Sequence, residues 1–338
     1  MKKYLLPEDG QFYKANLHCH TDISDGRLSP AEIKRIYKEH GYAVVAYTDH
    51  YVMVPHPELA DEDFLPLTGY ELAVNEDGTA DAHKRVCHFC FIALDPDHIM
   101  QEIHHENRYE EKDAALLHYD PAYPTYERTY SAECISDMMR IGRACGYFVT
   151  YNHPVWSRET YNDYCAFENM HAMEICNYGC IVEGYDDDNP RVYDDMLGSG
   201  KRIYCIATDD NHCGLPVDDP KFDAFGGFTM IKADKLEYKT VTDALVKGNF
   251  YASQGPLIHD LWFEDGNIHV TCSDAARITL ATGQRRAGSV YAKTGEVLNE
   301  ASFPVKETDG YVRLTVVDER GFKAYTNAYF TDELFGES

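Results

Sequence analysis

Short apolar runs separated by amphipathic stretches fill the first three quarters of the chain. Residues 42–47, Tyr-Ala-Val-Val-Ala-Tyr, are too few for a core helix and too uniformly apolar for a half-exposed strand, so they predict a strand buried on both faces. Residues 65–71, 86–93, 147–153, 173–177, 202–208 and 225–231 read in the same way, and 12–18 precede them as a first strand. Helical spacing lies between the runs. Ser29-Pro-Ala-Glu32 is a capping box with Pro30 at the first helical position, and Gly41 ends that helix. A second helix runs over 131–145 between Ser131 and Gly146, and a third over 235–247 before Gly248. About seven or eight strand–helix units result, the number expected of an α/β barrel.

Two stretches break this rhythm. Residues 97–130 form a charged insertion rich in Tyr and His, which predicts a solvated excursion or a lid. From about residue 250 the period shortens to alternating runs at 267–271, 277–281 and 311–317, separated by Gly, Asp and Asn. The expected organisation is a barrel over 1–254 and a small antiparallel β-sandwich-like domain over 255–338.

Composition narrows the partners. The 338 residues can bury a full core, and the 44% apolar and 26% charged fractions are those of a globular protein. No apolar run reaches membrane-spanning length, and the first nine residues hold no signal-peptide core, so a cytoplasmic location is expected. A net charge of −26 disfavours a nucleic-acid polymer as partner. The eleven cysteines are scattered, with Cys87 and Cys90 the only C-x-x-C pair, and read as reduced thiols.

The chemistry collects where the predicted strands begin or end. His18 and His20 leave the same face of the first strand, and Asp25 follows in a turn. His50, Glu71, His153 and His212 each follow a strand, as do Asp209 and Asp210, and His88 lies inside one. A single histidine in a strand is usually a packed or surface residue. This many polar side chains at strand ends, buried without partners, would cost roughly 1–3 kcal/mol each. Two or three divalent metal ions would remove that cost, and imidazole plus carboxylate without thiolate suits Zn, Mn or Fe. Arg158 is a candidate for binding an anionic substrate group. Lys84, Arg85 and Arg202 are weaker candidates. Tyr151 and Asn177 could line a pocket, although packing explains them as well. His83 reads as a loop residue, and His104, His105 and His118 as solvated.

The first motif with Ser24-Asp25-Gly26, then Thr48-Asp49-His50, Gly69-Tyr-Glu71, His88 before Phe-Cys-Phe, Asn152-His153-Pro154 and Asp210-Asn-His212 resembles the PHP (polymerase and histidinol phosphatase) family of metal-dependent phosphoesterases. The resemblance covers about residues 12–250, with one departure at Asn16, where the family often has Asp. It implies an α/β fold, a distorted (β/α)7 TIM-like barrel. It further implies one metal held by His18, His20, Glu71 and Asp210, a second by Glu71, His88 and His153, and a third by Asp25, His50 and His212. Glu71 would bridge two cations about 3.5–4 Å apart, the spacing for a shared hydroxide nucleophile, with His50 and Asp25 in the catalytic centre. The implied substrate is a small phosphomonoester or phosphodiester. Alignment to the family's final motif puts Asp210 at the ligand position, whereas strand geometry alone leaves Asp209 equally open. The competing readings are C–N bond hydrolysis of the amidohydrolase type, and a metal-stabilised binding module whose β domain recognises a glycan or a partner chain.

Overall fold

The computed structural model describes residues 2–76, 84–104, 115–122 and 125–336. His83 and His105 lie outside them. The strands are β1 (Lys3–Tyr4), β2 (Gln11–Asn16), β3 (Val44–Tyr47), β4 (Leu65–Asn75), β5 (Val86–Ala93), β6 (Tyr147–Tyr151), β7 (Ala172–Asn177), β8 (Tyr204–Thr208), β9 (Phe228–Ala233) and β10 (Phe250–Ser253). After them come β11 (Ile258–Glu264), β12 (Asn267–Ala275), β13 (Arg277–Thr282), β14 (Ala287–Tyr291), β15 (Leu298–Pro304), β16 (Tyr311–Val317), β17 (Lys323–Thr326) and β18 (Tyr329–Phe330). The helices are α1 (Pro30–Glu39), α2 (Ala132–Ala144), α3 (Tyr161–Tyr164), α4 (Tyr178–Glu183), α5 (Pro190–Gly198), α6 (Tyr238–Lys247) and α7 (Thr331–Phe335).

Local chemistry explains the main elements. The Ser29 hydroxyl accepts the Glu32 N–H while the Glu32 carboxylate accepts the Ser29 N–H, closing the capping box at the start of α1. That helix buries Ile33, Ile36 and Tyr37. Ser131 caps α2, which buries Ile135, Met138 and Met139. Every residue of β3 is buried, as its uninterrupted apolar run requires.

The fold is α/β with a mixed sheet. Parallel pairs join β2, β3 and β4, and join β6, β7 and β8. Antiparallel pairs insert β5 between β4 and β6, and join β2 to β9 and β9 to β10. These strand pairings do not close into a ring. Among the described residues, one parallel bridge, Cys19 with Asn211, links the chain beyond β2 to the chain beyond β8, and Thr229 Oγ1 of β9 hydrogen-bonds both the N–H and the carbonyl of Ala207 on β8. The parallel strands and the reversed β5 nonetheless present their polar termini at one end of the sheet, because His88 sits near the start of β5 while Glu71 lies opposite Cys90 in the same ladder.

The C-terminal strands are interlocked with this sheet. The order β14-β13-β16-β17-β10-β9-β2 carries one continuous sheet from the last part of the chain into the first, and the sheet β1-β11-β12-β15 packs against it. Ile258, Leu261, Ile268 and Val270 from the small sheet meet Ile278, Leu280, Val312 and Leu314. Arg313, with its side chain 5% exposed, pairs with Asp194 of α5 at 2.6 Å, and Tyr311 donates to the same carboxylate. Among the described residues of the insertion, Gln101, Ile103, His104 and Arg128 are buried, where a solvated excursion or a lid was expected. His104 is 2% exposed and stacks on Tyr119, while Gln101 donates to the Tyr51 carbonyl at 2.7 Å, which ties the insertion to the loop after His50. His118 is exposed.

Asp194→Ala strands the buried Arg313 guanidinium and should cost about 3 kcal/mol in urea unfolding, with the chain still unfolding in one transition. A loss of about 0.5 kcal/mol or less, typical of a surface pair, would show that the Arg313–Asp194 contact does not bind the two parts together.

Candidate metal centre

Beyond the end of β2, His18 and His20 converge, their Nε2 atoms 3.1 Å apart. Asp210 Oδ1 lies 3.1 Å from His18 Nε2 and 3.0 Å from His20 Nε2. Glu71 of β4 is central. Its Oε1 is 3.2 Å from His18 Nε2, 3.2 Å from His88 Nδ1 and 3.5 Å from His153 Nε2, and its Oε2 is 3.3 Å from His20 Nε2 and 3.2 Å from His50 Nδ1. Asp25 Oδ2 stands 3.5 Å from both His50 Nε2 and His212 Nε2. Three groups result that could each hold an ion: His18, His20, Glu71 and Asp210; Glu71, His88 and His153; and His20, Asp25, His50 and His212. His20 thus joins two groups, which the sequence reading did not assign to it.

The residues fit cations on their own evidence. Nitrogen and oxygen lone pairs face one another at hydrogen-bond distance, an arrangement that is stable only with a proton or a cation between them. His20 Nδ1, His50 Nδ1 and Asp210 Oδ1 are buried without a hydrogen-bond partner. Burial opposes charge on Glu71 and Asp210, yet His18 and its neighbours hold both carboxyls well below the usual range. Burial and the nearby His20 push His50 down to about 3, while Glu71 and Asp210 overcome burial at His153 and lift it to about 9. Protons and metal ions compete for the same atoms, so metal uptake releases protons.

A further layer aims these side chains. Glu174, fully buried on β7, lies 2.7 Å from His18 Nδ1 and also accepts the His153 N–H, the Thr208 hydroxyl and the Asn177 amide. Sequence reasoning missed it, although a lone carboxylate inside the apolar run Met173-Glu-Ile-Cys was the available signal. Asn152 donates to Glu71 Oε1 at 2.8 Å, and Asn177 to Asp210 Oδ2 at 3.1 Å. Asp49 accepts from Thr21 and Ser24 and so shapes the loop that delivers Asp25. The two neighbouring aspartates face opposite ways. Asp209 accepts the N–H groups of Phe225, Gly226 and Gly227 and the Tyr37 hydroxyl, and burial pushes its pKa up to about 6. Asp210, at φ +50°, turns toward His18 and His20. His153 also has positive φ, +26°, so two of the inward-facing residues sit in strained backbone.

Above the cluster is a cleft of about 220 Å³, whose wall adds Trp156, Gly179, Cys180, Glu183 and Asp223. A Cβ on Gly179 would lie 2.7 Å from the Asp209 carbonyl oxygen, so only glycine lets α4 approach here. Among the described residues, no lysine or arginine lines the cleft. Arg158 is exposed and outside it. Arg85 pairs with Glu76 and Asp163, Arg202 with Asp332 and Glu333, and Lys84 is exposed. Tyr151 donates to Glu159, away from the cleft, at 2.5 Å.

Fold and site together define an α/β protein with three overlapping groups of potential metal ligands at one end of a mixed sheet. No family model and no curated protein matches the chain. Among solved structures, a two-domain protein from Bacteroides vulgatus containing a predicted PHP-like metal-dependent phosphoesterase is similar over 96% of this chain and 98% of its own, at 16% identity and a TM-score of 0.45. A candidate metal-dependent phosphoesterase from Bifidobacterium adolescentis is similar over 64% of this chain and 91% of its own, at 15% identity and a TM-score of 0.39. At these scores the likenesses carry no argument of their own.

Glu174→Gln should weaken metal affinity about 10- to 100-fold, read by competition with a chelating dye, since it loosens His18 without removing a candidate ligand. Asp210→Asn should lower metal content in elemental analysis, whereas Asp209→Asn should lower the melting temperature and leave metal content unchanged. The opposite pattern would exchange their roles.

Glu159 supplies a pH test away from the metal ligands. Burial pushes its carboxyl up to about 8 against the donating Tyr151 and Tyr130 hydroxyls. The folded state therefore keeps a proton that the unfolded chain releases, and this stability is complete below pH 4.5 and lost as pH rises through 8. Glu159→Gln should flatten the fall in Tm between pH 5 and 8.5. An unchanged pH profile would assign that fall to other groups.

Proposed function

We propose that the chain is a metal-dependent phosphoesterase of the PHP family, hydrolysing a small phosphomonoester or phosphodiester. The observation that carries this reading is the Glu71 carboxylate, whose two oxygens reach five histidines in all three groups of potential ligands. In this reading His18, His20, Glu71 and Asp210 hold one metal, Glu71, His88 and His153 a second, and Asp25, His50 and His212 a third. Zn, Mn or Fe bound there would supply Lewis acidity and acidify water.

The residues of the chain do the rest. Asn152 and Glu174 fix Glu71 and His18, and Asp49 fixes the turn that carries Asp25. His50, with its pKa lowered to about 3, is neutral at pH 7 and keeps a lone pair for coordination. The cleft wall carries Glu183 and Asp223 and no cationic side chain among its described residues. An anionic phosphoryl group would therefore depend on the metals for binding as well as for turnover. The same proposal keeps the ligand set within 1–254 and gives 255–338 a supporting role. It places the enzyme in the cytoplasm, where its eleven free thiols would stay reduced. No helix among the described residues is long and apolar enough to cross a membrane.

Protein loaded with Mn, Zn or Fe should hydrolyse 4-nitrophenyl phosphate or bis(4-nitrophenyl) phosphate, and elemental analysis should find two or three ions per chain. A chelator should abolish both turnover and the binding of inorganic phosphate, and Glu71→Ala and His50→Ala should be inactive. Hydrolysis of amides in place of phosphoesters would convert the reading to a C–N hydrolase. Full metal loading without turnover of either class would leave a binding module.

A further inference from the structure

A second cleft, of about 520 Å³, lies on the outer face of the sheet and shares no lining residue with the metal cleft. Its walls are Phe12 and Lys14 of β2, Phe225, Phe228 and Met230 at β9, and Leu257 after β10. This volume falls in the range of small-molecule sites, and the walls combine aromatic and apolar side chains with two polar ones, Lys14 and Gln254.

Lys14 is the charged group in that wall. Its ammonium lies 3.9 Å from the Tyr42 ring centroid and 4.6 Å from that of Phe228, and donates one hydrogen bond, at 3.3 Å, to the His40 carbonyl. Among the described residues it makes no ion pair, although the chain carries 57 acidic residues against 31 Lys and Arg. Burial lowers its pKa, and the Asp209 carboxylate opposes this only at a distance. An ammonium held against two ring faces, with donors left over and no carboxylate in contact, favours an anion arriving from outside. Phe12, Phe225 and Phe228 supply the aromatic part of the wall, with one face of each ring already covered, by the Lys232 ammonium, the stacked His40 ring and the Lys14 ammonium respectively.

We propose that the Lys14 cleft is a second small-molecule site, which binds a planar apolar carboxylate with its charge on Lys14 and its rings among Phe12, Phe225 and Phe228. Gln254, Gly255 and Leu257, where the chain passes from β10 to β11, close one side.

The test uses the full-length, metal-loaded protein with two probes, 2-naphthoate and its neutral counterpart 2-naphthalenemethanol, followed by calorimetry and saturation-transfer NMR. Naphthoate should bind once per chain and remain bound in saturating inorganic phosphate, which on the proposed function would occupy the metal centre. Lys14→Met, which keeps the apolar stem, should weaken naphthoate about tenfold or more and leave naphthalenemethanol unchanged. Leu257→Trp, a surface substitution that fills the cleft, should remove binding of both probes. Three results would overturn the proposal: naphthoate affinity unaltered by Lys14→Met, displacement of naphthoate by phosphate, or the absence of saturable naphthoate binding. Circular dichroism and metal content of each variant, expected to match the parent, separate loss of the site from loss of the fold.

Discussion

Everything at the polar end of the sheet depends on one electrostatic constraint: the Glu71 carboxylate is buried among five imidazoles and must be neutralised where it stands. An isolated buried carboxylate would take up a proton rather than persist as an anion. Glu71 instead remains ionised because positive charge is available around both oxygens, from protonated histidines or from metal ions that replace the protons. Removing it would leave the histidines facing one another, with ring centroids of neighbouring pairs 4.4–5.9 Å apart and without the one carboxylate that reaches all five.

That constraint explains why so much of the surrounding structure is polar and buried. Glu174, Asn152, Asn177 and Thr208 are fully or almost fully buried, and their hydrogen bonds hold other side chains rather than fill space. Each fixes a ring or carboxylate whose orientation would otherwise be free, which is the role of groups behind a metal ligand. The positive φ angles of His153 and Asp210 belong to the same arrangement. They aim side chains inward from chain segments that are leaving the sheet, at a cost in backbone energy that the surrounding hydrogen bonds offset.

The C-terminal strands contribute rigidity at a distance. Because β10 pairs with both β9 and β17, movement of the late strands would pull on the sheet that positions the Phe225–Gly227 turn, and that turn holds Asp209 next to Asp210. The buried Arg313, paired with the partly exposed Asp194, ties the same layer to α5. Among the described residues, 255–338 place no candidate ligand in the three groups.

Much of this was legible in the amino-acid order. Apolar runs of four to eight residues betray buried strands, capping residues mark α1 and α2, and the polar residues at strand ends are visible because a strand's alternation is strictly local. The nine residues that the family resemblance implies as ligands lie within three groups whose atoms could hold an ion, and Asp209, left open beside Asp210, lies outside them. Other features needed long-range geometry. That β5 runs antiparallel is a matter of pairing, and it is why His88, inside a strand, reaches the same end as residues that follow one. Glu174 looks like an isolated charge in an apolar strand until His18, 156 positions away in sequence, is brought to 2.7 Å. His104 is buried, its ring stacked on Tyr119, where composition alone suggested solvent. The two aspartates are the sharpest case. Asp209 and Asp210 are chemically identical neighbours, and only the turn at 225–227, which supplies three N–H groups to one of them, together with the left-handed backbone of the other, decides which carboxylate faces the histidines.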